Sequence, residues 1–324
     1  MIGYLLRRAG FYALAAWVAL TLNFFIPRLM PGDPSTVMLA RFQGQLPPEA
    51  LDALRETFGL TDGSLWQQYV VYLQHALVGD FGISVAYYPA PVVDVIGTGL
   101  LWTLFLAGGA LIISFTLGTA LGALAAWRRG GWLDSAAPPL LAFIGAFPYF
   151  WMAMAALFVF GFSLGWFPLR HAHDPSLSPS LSWAFVASVI HHATLPALTM
   201  VLASMGGWLL AMRNTTLAVL GEEYITYAHA RGLPQREILK NHAARNAILP
   251  NLTGFGMALG FVLSGALLTE IVFAYPGQGY LLIQAVRSQD FPLMQGLFLT
   301  ITFAVLGANL LVDFTVAVLD PRTR

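Results

Sequence analysis

Long apolar runs constrain this chain more than any other feature. A helix crossing the ~30 Å hydrocarbon core of a membrane needs about 20 consecutive apolar residues. Six stretches meet that length: roughly Ala9–Met30, Leu100–Trp127, Ala136–Phe160, Ala193–Met212, Ala247–Phe273 and Pro292–Leu319. Composition agrees, since 57% of the 324 residues are hydrophobic and only 10% are charged. Such a chain cannot keep its apolar surface from water as an ordinary soluble domain. The reading is an all-α, polytopic membrane protein with six transmembrane helices. With equal numbers of acids and bases, it carries no basic face for nucleic acid, and with no cysteine it can form neither disulfides nor thiolate sites.

Charge placement orients the spans. If the N-terminus is cytoplasmic, the inner segments hold Arg7, Arg8, Arg128, Arg129, Arg213, Arg231, Arg236, Lys240, Arg245, Arg322 and Arg324, against Arg28, Arg41, Arg55, Arg170 and Arg287 outside. That asymmetry predicts both termini in the cytoplasm. Arg7 and Arg8 followed by an apolar run look like a secretory signal. The run continues through Phe24, Phe25 and Ile26 without a small-residue cleavage site, which predicts a retained first span within residues 1–30.

Residues 31–99 form an external segment carrying Asp33, Glu49, Asp52, Glu56, Asp62, Asp80 and Asp94. Apolar spacing predicts a helix over Pro47–Phe58 and a second over Leu65–Leu77. Pro31-Gly32-Asp33-Pro34 and Gly79-Asp80-Phe81-Gly82 read, from chemistry alone, as turns with an Asx cap. Residues 100–324 hold the other five spans. Within them Gly118 with Gly122, and Gly256 with Gly260, are spaced to let helices approach closely.

Between the fourth and fifth spans, residues 213–246 make a polar island. Its most charged part runs from Gly221 to Pro250 and includes Glu222, Glu223, Arg231, Arg236, Glu237, Lys240 and Arg245. Acids at the start and a cation at the end predict a helix over Glu222–Arg231. Gly232 then lets the chain leave through a positive φ, and Pro234 suits the first turn of the next helix. By charge alone this loop is a solvated connector; the Gly232-Leu233-Pro234 break makes it a shaped one.

Ala228, Gly232 and the distant Leu249-Pro250 resemble the cytoplasmic signature loop of binding-protein-dependent ABC importer permeases, which docks into the ATPase subunit. The family's Glu-Ala-Ala start falls on Thr226, Tyr227 and Ala228, so two leading positions differ. The distance from Gly232 to Pro250 is similar to that of the dipeptide, oligopeptide and nickel branch. The two external Pro-Gly-Asp-Pro and Gly-Asp-Phe-Gly motifs resemble that branch too. So do Glu270 through Tyr275-Pro276-Gly277-Gln278-Gly279, and the C-terminal Asn309-Leu310-Leu311-Val312-Asp313 with Asp320-Pro321-Arg322, although Phe314 and Thr315 depart from a frequent tyrosine.

The resemblance implies one half of a heterodimeric pore, a second homologous permease, two cytoplasmic ATPase subunits and an extracytoplasmic solute-binding protein, all in a prokaryotic inner membrane. It implies ATPase coupling through Glu222, Glu223, Tyr227, Ala228, Arg231, Gly232, Leu233, Pro234 and Arg236. It places Glu270, Tyr275, Pro276, Gly277 and Gly279 near an outer gate or docking face. ATP and magnesium would then belong to the partners, with no cofactor or metal in this chain. A P-loop needs Gly-Lys-Ser/Thr, and the single lysine, Lys240, lies between Leu239 and Asn241. Peptides are the expected substrate class, with oligosaccharides or nickel as the alternatives for the same machinery.

Other chemistries fit less well. A gradient-driven carrier predicts acids buried mid-span and two repeated halves, and neither is legible. Gly161-Phe162-Ser163-Leu164-Gly165 matches a nucleophile elbow, but that motif needs a strand before it, whereas an apolar helix precedes Ser163. His171, His173, His191 and His192 could gather around a metal, yet loop histidines on a solvated face are the plainer reading.

Overall fold

A computed structural model describes residues 2–29 and 64–319. The expected helix over Pro47–Phe58 and the motif at Pro31–Pro34 lie outside the described residues. In chain order the helices are α1 (Ile2–Leu29), α2 (Leu65–Val78), α3 (Val92–Thr103), α4 (Gly109–Trp127), α5 (Trp132–Gly145), α6 (Tyr149–Ala156), α7 (Trp183–Leu220), α8 (Glu223–Ala230), α9 (Gln235–Glu237), α10 (Arg245–Gly265), α11 (Leu267–Val272), α12 (Gln278–Arg287) and α13 (Phe291–Leu319). Wider π-helical turns at Leu104–Gly108, Leu157–Ser163 and Ile238–Ala244 join α3 to α4, extend α6, and join α9 to α10. No strand occurs among the described residues, as bilayer hydrogen bonding requires of a helical membrane protein.

Four helices, over Arg7–Ile26, Val92–Trp127, Trp183–Leu220 and Phe291–Leu310, are long and apolar enough to cross a membrane, and α5 with the extended α6 makes a fifth if the bent pair is one span. The expected fifth span is divided into α10 and α11 at Ala266. Other boundaries differ from the sequence reading too, and the fourth span, expected over Ala193–Met212, runs over Trp183–Leu220. The second span starts at Val92, eight residues before Leu100, because the alternation of Val, Ile and Gly before Leu100 continues the helix. The third is bent by 92°, at the break before Pro148, a residue that disfavours helix in its predecessor and donates no backbone bond. Pro234 caps α9 from outside, with ψ 142°, rather than opening its first turn.

The chain divides into two compact units, residues 1–103 with 276–324, and residues 104–275. In the first, Val92 and Ile96 of α3, Leu281 and Ala285 of α12, and Leu293, Met294 and Leu297 of α13 make one buried cluster. Asn23, buried near the end of α1, donates from Nδ2 to the Tyr72 hydroxyl (3.1 Å) and to the Gln295 carbonyl (2.8 Å). The end of α1, the helix α2 and the start of α13 are therefore level with one another. Ser64 and Gln67 close a capping box at the start of α2, and the Gly82 N–H donates to Asp80 Oδ1 at 3.0 Å, which is the Asx turn expected there.

The second unit is built on α7, against which α4, α5, α6 and α10 pack. A Cβ at Gly118 would lie 2.7 Å from the Met205 carbonyl, and one at Gly122 would overlap the Leu209 carbonyl. The small-residue face of α4 is thus pressed against the α7 backbone. At 38 residues, α7 is roughly 57 Å long by its helical rise, about twice the hydrocarbon core. Its last turns therefore project beyond the membrane and carry the polar loop with them.

Candidate functional site

The polar loop folds as a short amphipathic helix held from below. In α8 the side chains of Ile225 and Ala228 are buried with Ile238 and Ala243, and Val219, Leu220 and Leu233 pack around them. Burying an Ile side chain contributes about 1.5–3 kcal/mol, so two of them fix one face of an eight-residue helix that could not persist alone. Glu222 is the N-cap and Arg231 the C-cap. Beyond them Gly232 has φ 73°, its N–H donates to the His229 carbonyl (2.9 Å), and the Leu233 N–H donates to the Ala228 carbonyl (3.3 Å). Those paired bonds, with Leu233 packed on the same cluster, make a Schellman stop. A Cβ at Gly232 would meet nothing within 4 Å; the glycine is required by its dihedral angle alone.

The opposite face is open. Glu222, Glu223, Tyr227, Arg231, Gly232, Pro234 and Arg236 are all exposed, Leu233 is half-buried and Ala228 is buried. Tyr227 is 70% exposed, a large amphipathic ring of the kind that anchors protein interfaces. The structure thus gathers the expected loop residues around one helix and its stop, with Ala228 supporting from beneath.

Side chains not singled out from the sequence tie this helix to the spans. The Asn246 Nδ2 donates to the Tyr224 hydroxyl at 2.9 Å, joining α8 to the start of α10. Thr215 Oγ1 of α7 donates to the Ala247 carbonyl at 3.0 Å. Asn251, one residue after Pro250, is buried and donates from Nδ2 to Thr119 Oγ1 (3.1 Å) and the Trp208 carbonyl (3.2 Å), binding α10 to α4 and α7. Arg213 near the end of α7 pairs with Asp134 of α5. These bonds tie α8 to α10, and α10 to α4 and α7. Asn251 was findable as a polar residue inside an apolar run; Asn246 and Thr215 had no such signal.

Glu270 and Tyr275 are fully buried, and the Tyr275 N–H donates to the Glu270 carbonyl at 2.8 Å. Ala274 between them takes φ 43°, a turn that few non-glycine residues adopt. Gly277 is the N-cap of α12, Gly277 and Gly279 are buried, and Pro276 is half-buried. The neighbouring Gln278 N–H donates to Thr103 Oγ1 at 2.8 Å. Four of these five residues lack free surface.

A cavity of about 410 Å³ lies between the π-turn before α4 and helices α6, α7 and α10, with Ala107, Ala110, Tyr149, Ala203, Ser204 and Val262 in its walls. Among the described residues its lining holds no charged side chain, and the Ser204 hydroxyl donates to the Met200 carbonyl within α7 (2.8 Å). Selective sites for polar ligands usually converge several polar groups; this one offers few.

Three of the four histidines singled out from the sequence bond to main chain: His191 Nε2 to the Trp166 carbonyl (3.0 Å), His192 Nδ1 to the Ser188 carbonyl (2.8 Å) and His173 Nδ1 to the Asp174 carbonyl (2.9 Å). The Asp174 carboxylate accepts from the Ser176 N–H and hydroxyl, which holds it below the usual carboxylate range. Among the described residues no group of three His, Cys, Asp or Glu could hold a metal. Ser163 closes a π-helical turn, the wrong context for a nucleophile elbow.

Residues 118–324 match the family described as binding-protein-dependent transport system inner membrane component. The chain is 30% identical over 324 residues to the dipeptide transport system permease protein DppB of Lactococcus lactis subsp. cremoris, covering all of both chains. It is 30% identical over 339 residues to DppB of Alkalihalophilus pseudofirmus, again over the whole of both. With the oligopeptide transport system permease protein AppB of Bacillus subtilis it shares 31% identity over 99% of each chain. A match over more than half the chain, together with full-length relatives, decides the assignment: this chain belongs to the inner-membrane permease components of binding-protein-dependent ABC importers.

Proposed function

We propose that the chain is one half of a heterodimeric pore importing peptides, with six spans and both termini in the cytoplasm. Two separate ATPase subunits hydrolyse ATP, and an extracytoplasmic binding protein delivers the substrate. The observation that carries this reading is α8, whose outer face is open while its inner face packs through Ile225 and Ala228 on Ile238 and Ala243, and whose Tyr224 is bonded to Asn246 of α10. ATPase closure moves α8, α8 moves α10 and α7, and the bundle exchanges inward-open for outward-open. Glu222, Glu223, Tyr227, Arg231 and Arg236 form the ATPase contact, while Ala228, Gly232, Leu233 and Pro234 set its angle. The burial of Glu270, Tyr275, Gly277 and Gly279 favours a part in an outer gate over an exposed docking face.

Peptide transport is supported by the dipeptide and oligopeptide permeases to which the chain is similar over its whole length, with oligosaccharides or nickel as the alternatives for the same machinery. The uncharged cavity beside Tyr149 supports a pore that leaves selection to the binding protein. The test is competition for uptake in a reconstituted complex, alongside substrate affinity of the permease without its binding protein. Peptides should compete where oligosaccharides and nickel do not, and the permease alone should bind weakly. A tight selective site in the permease alone, or competition by nickel in place of peptides, contradicts the proposal.

A further inference from the structure

At the far end of α6, within the same unit as the polar loop, lies a second cavity of about 550 Å³. Its walls are Leu157, Phe158, Phe162 and Leu169 on one side and Val272 with Ala274 on the other, and Arg170 stands in its lining. Phe158 and Phe162 stack at 5.9 Å, forming a continuous aromatic wall. Both are more than 60% exposed, so the cavity opens sideways through an apolar face. Among the described residues Arg170 is the only charge in this lining, and it is exposed. Among the described residues it makes no hydrogen bond or ion pair.

The depth of this site in the bilayer follows from its neighbours. Trp166, four residues before Arg170, is 60% exposed, and Trp183 at the start of α7 is 81% exposed. Exposed tryptophans at the ends of membrane helices sit at the headgroup level. Arg170 therefore lies at the interface, with the aromatic wall running from it toward the hydrocarbon. An apolar slot below a guanidinium with no partner among the described residues, at headgroup depth, is complementary to one molecule type: an acyl chain bearing a phosphate at its polar end. Arginine matches phosphate oxygens with two parallel donors. Without a carboxylate in the lining to offset Arg170, a headgroup of net negative charge is favoured over a zwitterion.

We propose that this cavity binds one anionic phospholipid, with an acyl chain between the Phe158–Phe162 wall and Val272 and the phosphate on Arg170. The proposal is independent of what the pore transports. The lipid fills a gap between the end of α6 and the turn after α11, and so ties that turn to the surrounding bilayer.

The test is lipid retention by the detergent-purified transporter complex, read as mass adducts in native mass spectrometry after exchange into mixed micelles. Micelles containing phosphatidylglycerol or phosphatidylcholine are compared. The wild type should retain phosphatidylglycerol at least about fivefold over phosphatidylcholine, the preference that one surface cation supplies. Arg170→Gln should abolish that preference and Arg170→Lys should keep part of it. Val272→Trp, which fills the slot, should lower retention of both lipids. Inorganic phosphate at matched ionic strength should not displace the adduct. Wild-type preference in Arg170→Gln, unchanged retention in Val272→Trp, or displacement by phosphate alone overturns the proposal. Among the described residues Arg170 has no partner to lose, so a folding failure does not confuse the reading.

Discussion

Asp290, between α12 and α13, is fully buried and accepts hydrogen bonds from the Ser84 hydroxyl (2.5 Å), the Ala86 N–H (2.8 Å) and the Leu293 N–H (3.1 Å), and from the Val85 backbone. Burial nonetheless holds its carboxyl above the usual carboxylate range, the donors opposing but not cancelling that effect. Because the folded state then binds its proton more tightly than the unfolded chain does, the contribution of Asp290 to stability is greatest at acid pH. It declines as pH rises from the ordinary carboxylate value toward the raised one. Asp290→Ala leaves the Ser84 hydroxyl and Ala86 N–H without an acceptor, at about 1–3 kcal/mol each. Thermal unfolding in detergent should show a large loss of stability for Asp290→Ala, and for Asp290→Asn a loss of the acid-side dependence. Wild-type stability in Asp290→Ala would show that the loop before α3 is not hung on this carboxylate. The sequence made Gly232 legible at this scale because its requirement is local, a φ of 73°. It left Asp290 unreadable, since its partner Ser84 is 206 residues away.

At the scale of elements, α2, α7 and α8 follow from capping and apolar spacing, which act within a few residues. The 92° bend between α5 and α6 and the three π-helical turns do not. They arise where packing overrides the 3.6-residue period, and only Pro148 advertised one of them. Asn251 belongs to this scale, since it holds α10 against both α4 and α7. A hydrogen bond between membrane helices contributes about 0.6–2 kcal/mol. Asn251→Leu should therefore lower the thermal midpoint of the purified protein by a few degrees and loosen the passage of motion from α8. A midpoint and transport rate equal to wild type would remove Asn251 from that path.

For the whole molecule, the level arrangement of the end of α1 with the start of α13 is what an even number of spans requires. The absence of cysteine makes orientation directly measurable. Single cysteines at Ser64 and Ser176 should react with an impermeant thiol reagent in intact cells, and one at Gln235 should react only after lysis; external labelling at Gln235 would invert the orientation. The central claim, that α8 is the coupling helix and Gly232 sets its angle, rests on a glycine whose Cβ would meet open space. Valine there is strained by ~1 kcal/mol or more, too little to prevent insertion, but its side chain enters the surface offered to the ATPase. The most direct test is peptide uptake together with binding-protein-stimulated ATPase activity in a reconstituted Gly232→Val complex. The account predicts normal insertion with uptake lost, through failed assembly or through ATP hydrolysis no longer coupled to transport; wild-type values for both activities would contradict it.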